Sequence, residues 1–173
     1  MENKEEPKTK ERSGTFNRGQ KKDSRPRRPQ PEKKFDSNVL NINRVTRVTS
    51  GGRRMRFQAV VAIGDKKGKV GVGIAKAGNV RQAIEKAVKV AEKSIITIPL
   101  KDGLISYSVR GKFGASEIIL KYKAKGGGLT AGSSVRVLCE LAGITDASAR
   151  VISRSSNKLN IAQATINAFQ KLS

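Results

Sequence analysis

Phe57-Gln58-Ala59-Val60-Val61-Ala62-Ile63-Gly64-Asp65-Lys66-Lys67-Gly68-Lys69-Val70-Gly71-Val72-Gly73-Ile74 decides the fold. Phe57, Ala59, Val61 and Ile63 alternate with Arg56, Gln58, Val60 and Ala62, which reads as a strand with one clearly apolar face. Gly64 to Gly68 reads as a turn. Val70, Val72 and Ile74 then alternate with Gly71, Gly73 and Ala75 as a second strand. Glycines on one strand face let another backbone approach closely. Either a packed helix or a nucleic-acid strand would satisfy them.

Upstream, Val39 to Val48 is rich in Val, Ile, Thr and Asn and suits a strand. Thr49-Ser50-Gly51-Gly52 joins it to the next. Downstream, Asn79 is an expected N-cap. Val80, Ala83, Ile84, Ala87, Val88, Ala91 and Ile95 form one helical stripe, with Pro99 ending the element. A β-β-β-α unit results, its sheet packed on the helix.

A second pattern follows Leu100–Gly103. Ile105, Tyr107 and Val109 read as a strand, and so does Glu117 to Lys123 with Ile118, Leu120 and Tyr122 on one face. Ala124–Gly128 is a basic glycine loop. A helix is expected from about Ala131 to Ala142, burying Val135, Leu138 and Leu141, with Gly143 as its C-terminal cap. Ile144 to Ser153 reads as a strand, and Leu159 to Lys171 as a last helix with Leu159, Ala162, Ile166 and Phe169 inward. The expected class is α+β, with a basic tail over 1–38 and domains over 39–102 and 103–173.

Charge narrows the partner. The net charge is +22 and the sequence pI about 10.7. Residues 1–38 carry 12 basic and 7 acidic residues, and residues 39–173 carry 24 and 7. Most of the excess therefore sits on the folded part. Such self-repulsion calls for a polyanion. The Arg- and Pro-rich tail cannot bury enough apolar surface to fold alone. It is either a solubilising tail or a segment that orders along a phosphate backbone.

Other classes lose ground. Histidine is absent, which removes the commonest general base and metal ligand. A single cysteine, Cys139, excludes an internal disulfide and reads as buried and structural. Gly71-Val72-Gly73 begins like a dinucleotide fingerprint, but position 76 is Lys, and no GKS or GKT follows a glycine loop. No carboxylates pair for acid–base or metal work. We expect no enzyme, no cofactor and no metal. No membrane span or signal peptide is read, so a cytoplasmic location is expected. Trp is absent and aromatics are 4%, so phosphate and shape contacts outweigh base stacking.

Three basic clusters are candidate contacts. Arg44, Arg47, Arg53, Arg54 and Arg56 flank the Ser50-Gly51-Gly52 loop. Lys66, Lys67 and Lys69 sit at the next turn, expected at the opposite end of the hairpin. Arg110, Lys112, Lys121, Lys123 and Lys125 form a third set, for RNA or an acidic patch on a neighbouring protein. Solvated basic surface is the alternative for each.

Several motifs, in order, resemble a known family. They are Asn43-Arg44-Val45, Gly51-Gly52, Phe57 to Asp65, Gly68 to Gly73, Lys76-Ala77, Ala83-Ile84 and Lys86-Ala87. Ala131-Gly132, Val135-Arg136, Leu141 to Ile144 and Ala164-Thr165 follow. Over about residues 39–170 the chain resembles the bacterial small-subunit ribosomal protein five family. The resemblance implies a double-stranded-RNA-binding-like first domain and a left-handed β-α-β second domain. It implies a structural, non-catalytic role with 16S ribosomal RNA near the head–body junction. It also implies contact with small-subunit proteins four and eight, messenger RNA nearby, a part in subunit assembly and decoding accuracy, and no homo-oligomer. The rRNA-binding residues become Arg44, Arg47, Ser50, Gly51, Gly52, Arg53, Arg54, Arg56, Lys66, Lys67, Lys69 and Lys76. Thr46, Arg47 and Val48 fall near the spectinomycin site.

This chain departs from the family in places. Ser50 stands where Lys is frequent, and Glu117 where a basic residue is typical. Lys121–Lys125 replace a Pro-containing stretch, and Arg154 and Lys158 replace Gly and Pro. Competing readings are a freestanding RNA-binding regulator, resting on charge alone, and a nucleotide enzyme using the glycine-rich strands.

Overall fold

The apolar run Phe57–Ile63 is dense because both faces of its strand are covered. A computed structural model describes residues 35–100 and 103–172. Most of the expected tail therefore lies outside the described residues. Residues 36–38 belong to the first strand and pair with Ala62–Gly64.

Strands β1 (Asp36–Thr49), β2 (Gly52–Gly64) and β3 (Lys69–Ala77) form an antiparallel meander, followed by α1 (Val80–Lys93). A short β4 (Ile96–Thr97) pairs with β3, giving the order β1-β2-β3-β4. Helix α1 stops at Lys93, short of the expected Pro99. Ile95 to Ile98 is a β-branched run that suits a strand better than a helix. The Ser94 hydroxyl donates to the Val72 carbonyl at 2.9 Å and ties this end to β3.

Ala59, Val61 and Ile63 meet Ala83, Ala87 and Ala91 of α1. Their register partners Gly73 and Gly71 share that face. A Cβ on Gly71 would sit 2.6 Å from the Ala91 carbonyl oxygen. The close approach allowed by these glycines is therefore used by α1 itself. Val60, Ala62, Val70 and Val72 point the other way into a core shared with the second half. The single apolar face expected of β2 is thus two faces, as for any doubly covered sheet.

The second half holds β5 (Val109–Phe113), β6 (Ser116–Tyr122), β7 (Leu129–Thr130), α2 (Ser133–Ala142), β8 (Ala147–Val151) and α3 (Lys158–Gln170). The sheet order is β5-β6-β8-β7, and β7–α2–β8 is a parallel β-α-β unit. The strand expected over Ile105–Val109 begins only at Val109. Ile105 is a buried anchor, while the Tyr107 hydroxyl donates to the Lys171 carbonyl at 2.5 Å. Side-chain bonds hold this segment in place of a ladder. Ile118, Leu120 and Tyr122 share one face of β6, as expected, and Tyr122 is half exposed at the strand's end. Gly143 caps α2 with φ 85°, as expected.

The halves are joined through backbone. Lys66 N–H donates to the Leu141 carbonyl and Gly68 N–H to the Ala142 carbonyl, both at 2.9 Å. These carbonyls end α2 and have no acceptor role within it. The turn after β2 therefore completes the helix end of the other half.

Candidate nucleic-acid interface

The β1–β2 hairpin outruns its sheet. Strand β3 pairs with β2 only from Phe57 onward, so Arg44 to Arg56 is a two-stranded arm. From Phe57 to its tip it reaches roughly 17 Å at about 3.3 Å per residue. Nearly every residue on it is exposed. Ser50-Gly51 closes the arm between the paired Thr49 and Gly52, and the Thr49 hydroxyl donates to the Gly52 carbonyl at 3.1 Å.

Register sorts the arginines. Arg47 pairs with Arg54 and Val45 with Arg56, while Gln58 pairs with Lys76 across β3. Paired residues share a face, so Arg47, Arg54, Arg56 and Lys76 gather on the side away from α1. There they line one shallow groove with Val45 and Thr49. Arg44 and Arg53 lie on the opposite face, with Met55 and the largely exposed Val48. None of these six cations pairs with a carboxylate among the described residues.

The turn carrying Lys66, Lys67 and Lys69 lies at the other end of β2. Its backbone is engaged with α2, and the Lys66 ammonium meets the Asp36 carboxylate at 2.7 Å. That contact holds Asp36 below the usual carboxylate range and raises Lys66. The Asp65 carboxylate accepts from the N–H groups of Lys67 and Lys69 at 2.8 and 2.9 Å. Of this turn's three lysines, Lys67 and Lys69 keep exposed side chains that pair with no carboxylate among the described residues.

A family model described as ribosomal protein S5, N-terminal domain, matches residues 35–99, and one described as ribosomal protein S5, C-terminal domain, matches residues 111–173. The chain belongs to the ribosomal protein S5 family. It is a structural, RNA-binding protein of the small ribosomal subunit. The arm belongs to the stretch matched by the S5 N-terminal domain.

The third basic set falls in or beside the S5 C-terminal match and is not one surface. Arg110 pairs with Glu117, which lowers Glu117 and raises Arg110. The Lys123 ammonium folds onto the Gly127 and Gly128 carbonyls. Arg110, Lys112 and Lys121 share the open face of the β5-β6-β8 sheet, while Lys125 lies in the glycine loop. Arg150 joins that face opposite Ile119. Sequence reading missed it because only strand register brings β8 beside β6. Asp146 anchors the glycine loop, accepting from Gly128 N–H at 2.7 Å and the Thr145 hydroxyl at 3.0 Å. The Gly128 contact holds its carboxyl below the usual range. Cys139 is fully buried, and burial pushes its thiol up to about 12.

Proposed function

We propose that the β1–β2 arm is the main ribosomal RNA contact of this S5 chain. Its support is a projecting two-stranded element with Arg47, Arg54, Arg56 and Lys76 converged on one face and unpaired among the described residues. Guanidinium forks match phosphate geometry. Arg44 and Arg53 serve a strand passing on the other side. Nothing lies within 4 Å of where a Cβ would stand on Gly51, so a small tip there suits a close external approach. Lys67 and Lys69 supply a secondary contact, with Lys66 tied to Asp36.

The finer reading follows the family resemblance. It sets 16S ribosomal RNA at the head–body junction under the arm, with Thr46, Arg47 and Val48 near the spectinomycin site. It puts the region where messenger RNA enters close by, and gives the protein a part in assembly and accuracy. The open sheet face with Arg110, Lys112, Lys121 and Arg150 faces small-subunit protein four, and protein eight is a second neighbour. A monomeric, non-catalytic cytoplasmic role belongs to the same reading, as does a domain division at residues 102 and 103.

The test is binding of the full chain to small-subunit ribosomal RNA. Arg47→Glu with Arg54→Glu is expected to weaken it roughly tenfold to a hundredfold and to flatten the log–log salt slope by about 0.9 per lost phosphate contact. Circular dichroism should stay unchanged, since neither residue is in the core. Unchanged affinity would remove the arm from the contact.

A further inference from the structure

A pocket of about 340 Å³ lies between the start of α2 and the segment leading into α3. Gly132, Ser134 and Val135 wall one side, and Arg154, Ser155 and Lys158 the other. Gly132 is the N-cap of α2 and offers no side-chain cap, and the first turn holds no acidic residue. The first helical bond runs from Arg136 N–H to the Gly132 carbonyl at 2.7 Å. The N–H groups of Ser133, Ser134 and Val135 are therefore left over, and no described residue accepts from them.

Burial makes these leftovers significant. Ser134 is 5% exposed and Val135 1%. Groups so placed ordinarily have partners. The Ser134 hydroxyl also lacks a hydrogen bond among the described residues; the residue is buried, but its oxygen opens onto the pocket it lines. Helix α3 satisfies its own start, since Asn157 accepts from Leu159 N–H at 3.1 Å. Arg154 and Lys158 pair with no carboxylate among the described residues, and no carboxylate lines the cavity. Unmet donors, a helix N-terminus and two cations all call for an anion. No aromatic side chain lines the walls, so a base has no stacking surface while a backbone phosphate has donors on both sides.

We propose that this pocket is a second RNA contact, seating one backbone phosphate between the α2 amides and the Arg154–Lys158 pair. It rests on the RNA-binding role of the family and not on the assignment of the arm.

Two variants of the full chain, measured against small-subunit ribosomal RNA, decide it. Arg154→Ala with Lys158→Ala is expected to lower affinity roughly tenfold and to flatten the salt slope by about 0.7–0.9, the share of one phosphate. Gly132→Asp puts a carboxylate where the phosphate would sit. The backbone there is extended and nothing lies within 4 Å of the new Cβ. Asp is the better N-cap, so thermal stability should hold or rise while RNA affinity falls by a similar factor. Opposite movements of stability and affinity cannot come from misfolding. Unchanged affinity in either variant, with Arg47→Glu/Arg54→Glu still impaired, overturns the pocket and leaves the arm standing. A Gly132→Asp chain that loses stability along with affinity also overturns it, because the first turn would then need glycine for packing alone.

Discussion

Gly73 faces the backbone of α1, where an added Cβ would lie 2.5 Å from the Ala91 nitrogen and would overlap the Ala87 carbonyl oxygen. A helix backbone cannot yield locally, so sheet and helix must separate. Gly73→Ala is expected to cost about 1–3 kcal/mol, the range for overpacking. Urea denaturation should show the fall as a lower midpoint at unchanged slope. Asp146 makes a pH prediction. Its pKa is lowered in the folded state by the Gly128 N–H, so its contribution is present above the ordinary carboxylate value of about 3.9. That contribution is lost as pH falls through the lowered native value. Asp146→Asn should remove part of the acid-side loss of stability, seen as a flatter profile of unfolding midpoint below about pH 4. Cys139 should resist a thiol reagent at pH 8 in the native protein and react on unfolding, because it is fully buried and its thiol is raised.

At the scale of elements, the arm carries a conflict. Arg47 and Arg54 stand directly opposite one another, and like charges so placed are destabilising. Arg54→Thr should therefore raise stability by about 0.2–1 kcal/mol at low salt, the gain shrinking as salt rises. RNA affinity should fall in the same variant, showing that the pair serves binding and not folding. Strands β1 to β3 and helix α1 were legible because alternation, turn glycines and a helical stripe are local signals. The two-residue strands β4 and β7 leave no such pattern. Ile105-Ser106-Tyr107-Ser108-Val109 alternates like a strand, yet only tertiary contacts decide that pairing begins at Val109. The candidate site was legible as a set of residues and not as surfaces. Register alone puts Arg47 with Arg54 and sets Arg53 on the other face. Register also brings Arg150 beside Ile119. Lys66 and Lys123 look free in sequence, but Asp36 and the glycine-loop carbonyls engage them. The leftover amides of α2 were not legible, since they become unmet donors only where the cavity forms.

Across the whole molecule, the two S5 halves share one core and one set of backbone bonds. Val60, Ala62, Val70 and Val72 of the first sheet sit in the same cluster as Val135, Leu138 and Phe169. A chain of residues 35–100 alone would expose that sheet face, and an exposed apolar sheet of this kind favours association over folding. The full chain should unfold in a single calorimetric transition, with its van't Hoff enthalpy equal to the calorimetric one. Gly143 tests the coupling directly. Its φ of 85° suits glycine, and a Cβ there would overlap the Lys66 carbonyl of the docking turn. Gly143→Ala thus strains the α2 cap and pushes the turn away together, for a loss of about 1–3 kcal/mol. Because the Leu141 and Ala142 carbonyls would lose the Lys66 and Gly68 donors, the first half should loosen with the second. Hydrogen exchange should then show lost protection in β2 and β3 as well as in α2. Loss confined to α2 would mean that the docking bonds follow the shared core and do not transmit stability between the halves.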